Sequence, residues 1–172
     1  MFKRIMLGLV VLAILAAAIY YVNKRYFTAE EEHVRAVIDT VISHMESDNA
    51  TWSVLRIRDQ LSEKYRHYGE GSSTAVGKAF AVRFVTALKQ RYAGFEVEVH
   101  ATSVSVAGDT AQVEMIGRVT AAPKSNSEKR VEVMTERGRN RVRIELEKED
   151  GEWMIVGSER LSHELIEPPR KE

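Results

Sequence analysis

The side chains of this 172-residue chain that could do chemistry are few and dispersed. His33, His44, His67, His100 and His163 include no pair at i, i+4 spacing, and cysteine is absent, so nothing assembles a metal-ligand set. No metal or other cofactor is expected. Lack of cysteine also removes disulfides, thiolate nucleophiles and the acylated cysteine of a lipoprotein. A pocket enzyme needs an acid or base on an otherwise apolar wall, where low dielectric shifts its pKa toward use. Here the inward parity of the strands reads Phe95, Val97, Val99, Ala101, then Ala111, Val113, Met115, Gly117, Val119, then Val142, Ile144, Leu146. That wall carries neither an acid nor a base, which leans the reading away from catalysis. Tyr65, Tyr68, Arg83, Phe84 and Met115 are the candidate pocket groups, with packing or surface placement the plainer role for each.

The opposite parity of the same strands holds a different signal. Ile116, Met134, Met154 and Val156 are apolar where a sheet with one covered face would present polar groups, and as a cluster they would mark a partner or homodimer surface. Arg137, Arg139, Arg141 and Arg143 form a basic ladder that could meet anionic head groups; the plainer reading is a solvated face with Glu114, Glu145 and Glu147 as cross-strand partners. Asn49-Ala50-Thr51 matches the glycosylation sequon, which matters only in a eukaryotic secretory lumen.

These residues need elements to position them, and the chain divides into a helical half and a sheet half. Thr28 and Glu31 form a capping-box pair, after which Val34, Val37, Ile38, Val41, Ile42 and Met45 recur at three- and four-residue intervals, predicting an amphipathic helix. Asp48 to Thr51 breaks it. Trp52, Leu55, Leu61, Tyr65 and Tyr68 predict a second, less regular helix ending near Gly69 to Ser72. A third, capped by Ser73 or Thr74, carries Val76, Phe80, Phe84 and Leu88 at four-residue spacing and ends near Tyr92 to Gly94. From Phe95 the period becomes two, with a bulge expected near Thr102-Ser103, where the parity changes. Gly108-Asp109 turns the chain into a second strand, and Pro123 to Glu128 into a third, running from about Arg130 to Lys148 with a slip at Gly138. In this register Val113 faces roughly Asn140 to Val142. Asp150-Gly151 is a hairpin turn into the last strand, Trp153 to Leu161.

Residues 1–27 read as an anchor. Ile5 to Val22 is a run of 18 apolar, small or aromatic residues, which as a helix rises about 27 Å and nearly spans a hydrocarbon core of roughly 30 Å. Lys3-Arg4 and Ala16-Ala17-Ala18 also allow a cleaved signal peptide, but apolar residues continue to Val22 and then meet Asn23-Lys24-Arg25, as a retained span does. Flanking charges weakly favour an inside amino terminus. Formal net charge is zero, but four of the 25 basic residues lie in this acid-free segment, leaving 21 basic against 25 acidic residues beyond it. A net acidic body argues against nucleic-acid binding. Residues 28–166 then form one domain, and 167–172 a frayed tail.

Three helices followed by a four-stranded antiparallel meander, with the Gly-Asp-Thr turn at Gly108 to Thr110 and the Gly-x-Trp-x-Ile-Val strand at Gly151 to Val156, resemble the nuclear transport factor 2-like superfamily of cystatin-like α+β cones. The resemblance spans about Glu31 to Leu161. It implies a sheet curled around the helices to make a pocket, and a superfamily of isomerases, dehydratases, small-ligand binders and non-catalytic modules. Combined with one amino-terminal span, it is similar in architecture to single-pass periplasmic subunits of bacterial envelope and secretion complexes. The leading expectation is therefore a non-enzymatic, membrane-anchored periplasmic interaction module. The alternative is a small-ligand binder or pocket enzyme of the same fold, distinguished by a deep cavity.

Overall fold

The amphipathic stripe of the first helix does what its spacing requires. In the computed structural model, which describes residues 29–69, 73–133 and 140–161, helix α1 (29–46) buries Val34, Ile38 and Met45 and half-buries Val37, Val41 and Ile42. Thr28, the first half of the expected capping box, lies outside the described residues, as do the expected membrane span (5–22) and the tail. Both ends of α1 are tied to the rest of the fold. Near its start, buried Glu30 accepts hydrogen bonds from Trp153 Nε1 and Lys148 Nζ, each at 2.8 Å. At its end, the buried Lys89 ammonium donates to the Met45 carbonyl and, at 2.6 Å, to the Ser47 carbonyl. That places a cation where the helix leaves its last carbonyls unsatisfied and its dipole is negative.

Helix α2 (Ala50–Gln60) begins where Asn49 Oδ1 accepts from the Trp52 amide at 3.1 Å, an N-cap supplied by the segment that breaks α1. It is shorter than expected and turns a different face inward. Ser53 and Ile57 are buried, whereas Trp52 and Leu55 are exposed, with Arg56 stacked over the Trp52 ring. The chain then becomes strand β1 (Leu61–Tyr68) rather than continuing the helix. Leu61, Tyr65 and Tyr68 fit a helical period, but the last strand of the sheet has an open edge, and pairing along it satisfies the backbone of 61–68 and buries Leu61 and Tyr65. Sheet pairing overrides local propensity here.

Strand β2 (Ala75–Gly77) doubles back on β1, and helix α3 (Lys78–Arg91) follows. Gly77 is its N-cap, without a side-chain cap, so the expected start at Ser73 or Thr74 is too early and Val76 belongs to the sheet. Strands β3 (Tyr92–Ala107), β4 (Thr110–Pro123), β5 (Val131–Glu132), β6 (Asn140–Glu149) and β7 (Glu152–Leu161) complete the chain. They form one seven-stranded sheet in the order β2-β1-β7-β6-β4-β3, with β5 pairing β4, where four strands were expected; β1 and β2 are additions, and the expected third strand is divided into β5 and β6. Every pair is antiparallel except β1 with β7.

The turns behave as their residues dictate. Asp150 and Gly151 take φ of 51° and 89°, the left-handed pair of a two-residue hairpin whose twist matches its strands. Strand faces reset at bulges: between Val99 and Ala101, close to the expected Thr102-Ser103, and where Glu145 and Leu146 of β6 meet Gly157 and Ile155 of β7. Val113 pairs with Ile144, two residues beyond the expected window. The bulges bend the strands and curl the sheet. One end of the resulting cone is filled by Val34, Ile38, Val113, Leu146, Trp153 and Ile155, and a second cluster of Met45, Ile57, Phe95, Ala121 and Val133 closes the side under α2. Each large apolar side chain fully buried there contributes roughly 1.5–3 kcal/mol. Under α3 the cone stays open.

Candidate functional site: an apolar cavity with a polar end

The open part of the cone is a cavity of about 650 Å³. Its roof is Val76 of β2 with Phe80, Ala81, Phe84 and Val85 of α3; its floor is the concave sheet, where Val97, Val99, Met115, Val119 and Val142 present their side chains. Phe80 and Phe84, one helical turn apart, are 49% and 41% exposed because they face this space rather than a packed neighbour. Of the expected pocket residues, Tyr65, Phe84 and Met115 come together here. Arg83 is exposed on α3 and does not line the cavity, and Tyr68 lies in a separate cleft of about 250 Å³ beside Arg143, Glu145 and Glu159.

The wall is not devoid of acid–base groups, contrary to expectation. Tyr65 and His67 alternate inward along β1, and His67 stands beside Ser158 in the parallel register with β7. Tyr65 Oη lies 2.7 Å from Ser158 Oγ, and His67 Nδ1 lies 2.8 Å from the same oxygen. Burial pushes the Tyr65 hydroxyl up, with the Ser158 bond opposing. Burial pushes the His67 imidazole down, with the Ser158 backbone opposing. The lowered pKa favours the neutral ring, whose Nδ1 contacts the Ser158 hydroxyl. Asn140 and Arg160 also line this end. Two events hid these groups: 61–68 reads as a helix, and the β7 bulge moves Ser158 and Arg160 onto the face that Trp153 and Ile155 occupy. Gly157 in mid-strand was the available signal for that bulge.

On the outer sheet face the arginines meet Glu114, the cross-strand partner expected for a solvated face. Glu114 accepts from Arg141 at 2.7 Å and from Arg143 at 3.1 Å, bonds that hold its carboxyl below the usual range, and Arg143 also reaches Glu159 at 3.2 Å. Ile116 pairs in register with Arg141, and Met154 with Glu147 six residues along β6, so roughly 20 Å of charged strand separates them. Val156 sits at the bulge. Met134, Arg137 and Arg139 lie outside the described residues. Among the described residues no group of His, Asp and Glu could hold a metal ion, and no helix is long and apolar enough to cross a membrane.

No family model matches the chain, and comparison with curated proteins finds no match. Solved structures match well. A proposed aromatic ring hydroxylase from Novosphingobium aromaticivorans superposes with a TM-score of 0.64 at 14% identity, covering 82% of this chain and 92% of that one. A nuclear transport factor 2-like protein with a cystatin-like fold from the same organism gives 0.56 at 19% identity, covering 86% of each chain. A proposed dehydratase of the nuclear transport factor 2-like family from Streptomyces avermitilis gives 0.63 at 11% identity, covering 80% and 98%. The fold is thus nuclear transport factor 2-like. At these identities the likeness is one of fold alone.

Proposed function

We propose that this domain binds a small, mostly apolar organic molecule in the cavity beneath α3, with the hydrogen-bonding part of that molecule held at the Tyr65–Ser158–His67 end. The observation that carries this is the combination of about 650 Å³ of mostly apolar-lined space with the Tyr65–Ser158–His67 cluster on its wall, where Arg118, Asn140 and Arg160 are the other polar lining residues. Small-molecule sites have this composition: apolar area supplies affinity and a few placed polar atoms supply orientation. Fold neighbours that carry enzyme names are compatible with chemistry at such a site, and a neutral imidazole is suited to proton transfer. The expected role as an anchored association module draws less from the geometry, because Ile116 and Met154 stand apart across an ion-paired face. The expected span at 5–22 is independent of the pocket and would hold it at a membrane.

The neutral fluorophore N-phenyl-1-naphthylamine tests the proposal. Titration should show saturable enhancement at one site per chain, lost in Met115→Trp, which places an indole in the floor. Absence of saturable binding, or equal binding by a folded Met115→Trp protein, would sink it.

A further inference from the structure

Tyr65, Ser158 and His67 form a chain of three groups, and Tyr65 Oη and His67 Nδ1 are the only hydrogen-bond partners of Ser158 Oγ among the described residues. Counting protons along it restricts what its ends can present. Neutral Tyr, Ser and His carry one polar hydrogen each. Two of the three are used inside the chain, at the Tyr65–Ser158 and Ser158–His67 contacts. One hydrogen is left, and where the serine hydrogen stays inside the chain it points outward from one end only.

Two arrangements satisfy both contacts with the serine hydrogen donated inside the chain. In one, the Tyr65 hydroxyl donates to Ser158, the Ser158 hydroxyl donates to His67 Nδ1, and His67 Nε2–H faces outward while Tyr65 Oη offers a lone pair. In the other, His67 Nδ1–H donates to Ser158, Ser158 donates to Tyr65, and the Tyr65 hydroxyl faces outward while His67 Nε2 offers a lone pair. A third, with both neighbours donating to Ser158, turns the serine hydroxyl away from the cluster and gives up its bond there, which is costly for a part-buried hydroxyl. The two ends are therefore of opposite sense: when one donates, the other accepts. Tyr65 Oη and His67 Nδ1 touch one oxygen at 2.7 and 2.8 Å and both residues line the cavity, which brings the two ends within the span of a single small molecule.

We infer that the cavity selects ligands carrying a hydrogen-bond donor and an acceptor on neighbouring atoms of an apolar body, such as a hydroxy-ketone, an enolised 1,3-dicarbonyl or a lactam, and that Ser158 enforces this selection by coupling Tyr65 to His67. This rests on the pocket reading and adds the ligand class to it. A ligand with two acceptors leaves one end facing a lone pair. Burying two unmatched acceptors against each other is the situation in which polar sites discriminate most strongly. Ser158 acts here as a positioning residue.

Benzoin, with a hydroxyl beside a ketone, and benzil, with two ketones on the same skeleton, are the probes, measured by calorimetry and by displacement of N-phenyl-1-naphthylamine. In the full chain at pH 7 benzoin should bind at least about tenfold more tightly than benzil. Ser158→Ala should narrow the ratio to within about threefold by uncoupling the two ends, and Ser158→Thr, which keeps the hydroxyl, should restore it. If Ser158→Ala does not fold, Tyr65→Phe removes one end and should narrow the ratio likewise. Equal affinities in the unaltered protein, or a ratio that survives in the folded uncoupled variant, would overturn the inference. Failure of both probes while the naphthylamine still binds overturns the ligand class and leaves the pocket; failure of all three overturns the pocket itself.

Discussion

Gly117 shows how a single residue sets the floor of the cavity. A Cβ built there would lie 2.6 Å from the Glu98 carbonyl oxygen of the neighbouring strand, a backbone atom that cannot swing aside. The close approach occurs beside the β3 bulge, where Val99 pairs with Gly117 and Ala101 with Ile116. Gly117→Ala must push β3 from β4 and should cost about 1–3 kcal/mol, as overpacking does, read as a lower denaturation midpoint at unchanged slope. It should also weaken naphthylamine binding, because Val97, Val99 and Met115 on either side of the displaced pair line the cavity. An unchanged midpoint would show that the strands already have that freedom. At this scale the sequence was legible for groups whose partners follow strict alternation: Met115 and Phe84 reach the cavity as their spacing predicts. It was not legible for His67, Ser158 and Arg160, whose inward placement depends on a parallel pairing and a bulge that no local pattern announces.

At the scale of elements, a polar contact joins the apolar stripe in seating α1 on the sheet. Glu30 is held by Lys148 and by the Trp153 indole, hydrogen bonds that lower its pKa from 4.5, and the Trp153 ring is itself buried in the core. A carboxyl whose pKa is lower in the folded than in the unfolded chain contributes stability that is fully present above the unfolded value and lost as pH falls through the folded one. Wild type should therefore exceed Glu30→Gln in stability at pH 7, and the gap should close as pH drops below about 4.5, followed by urea denaturation across pH 3 to 7. A gap independent of pH would mean the amide replaces the carboxylate fully and the charge contributes nothing. The elements themselves divide by the reach of their causes. Helix α1 and the β6–β7 hairpin are readable because the apolar stripe and Asp150-Gly151 act over a few residues. Strand β1 is not, because Leu61, Tyr65 and Tyr68 satisfy a helical period equally well and what decides is the open edge of β7, some ninety residues away in the chain.

For the whole molecule, the cavity is a trade between stability and binding. The filled end of the cone carries the core, while the end under α3 leaves Phe80, Phe84 and Val99 in contact with solvent, apolar surface that a protein selected only for stability would cover. Met115→Trp tests both sides of that trade, since Met115 lines the main cavity and a smaller one of about 120 Å³ against α1. Filling the space removes apolar surface from water, so the ligand-free variant should melt above wild type. A ligand that binds only the folded state at a hundred times its Kd adds about 2.7 kcal/mol. For a domain of this size that raises the wild-type melting temperature by roughly 5–15 °C. The variant should show none of that rise, so its advantage in the free state should turn into a deficit when the naphthylamine is present. A variant that melts lower than wild type and still responds to ligand would place binding elsewhere on the molecule. The crossing of the two melting curves with ligand is thus the single measurement that ties the unfilled end of the cone to function.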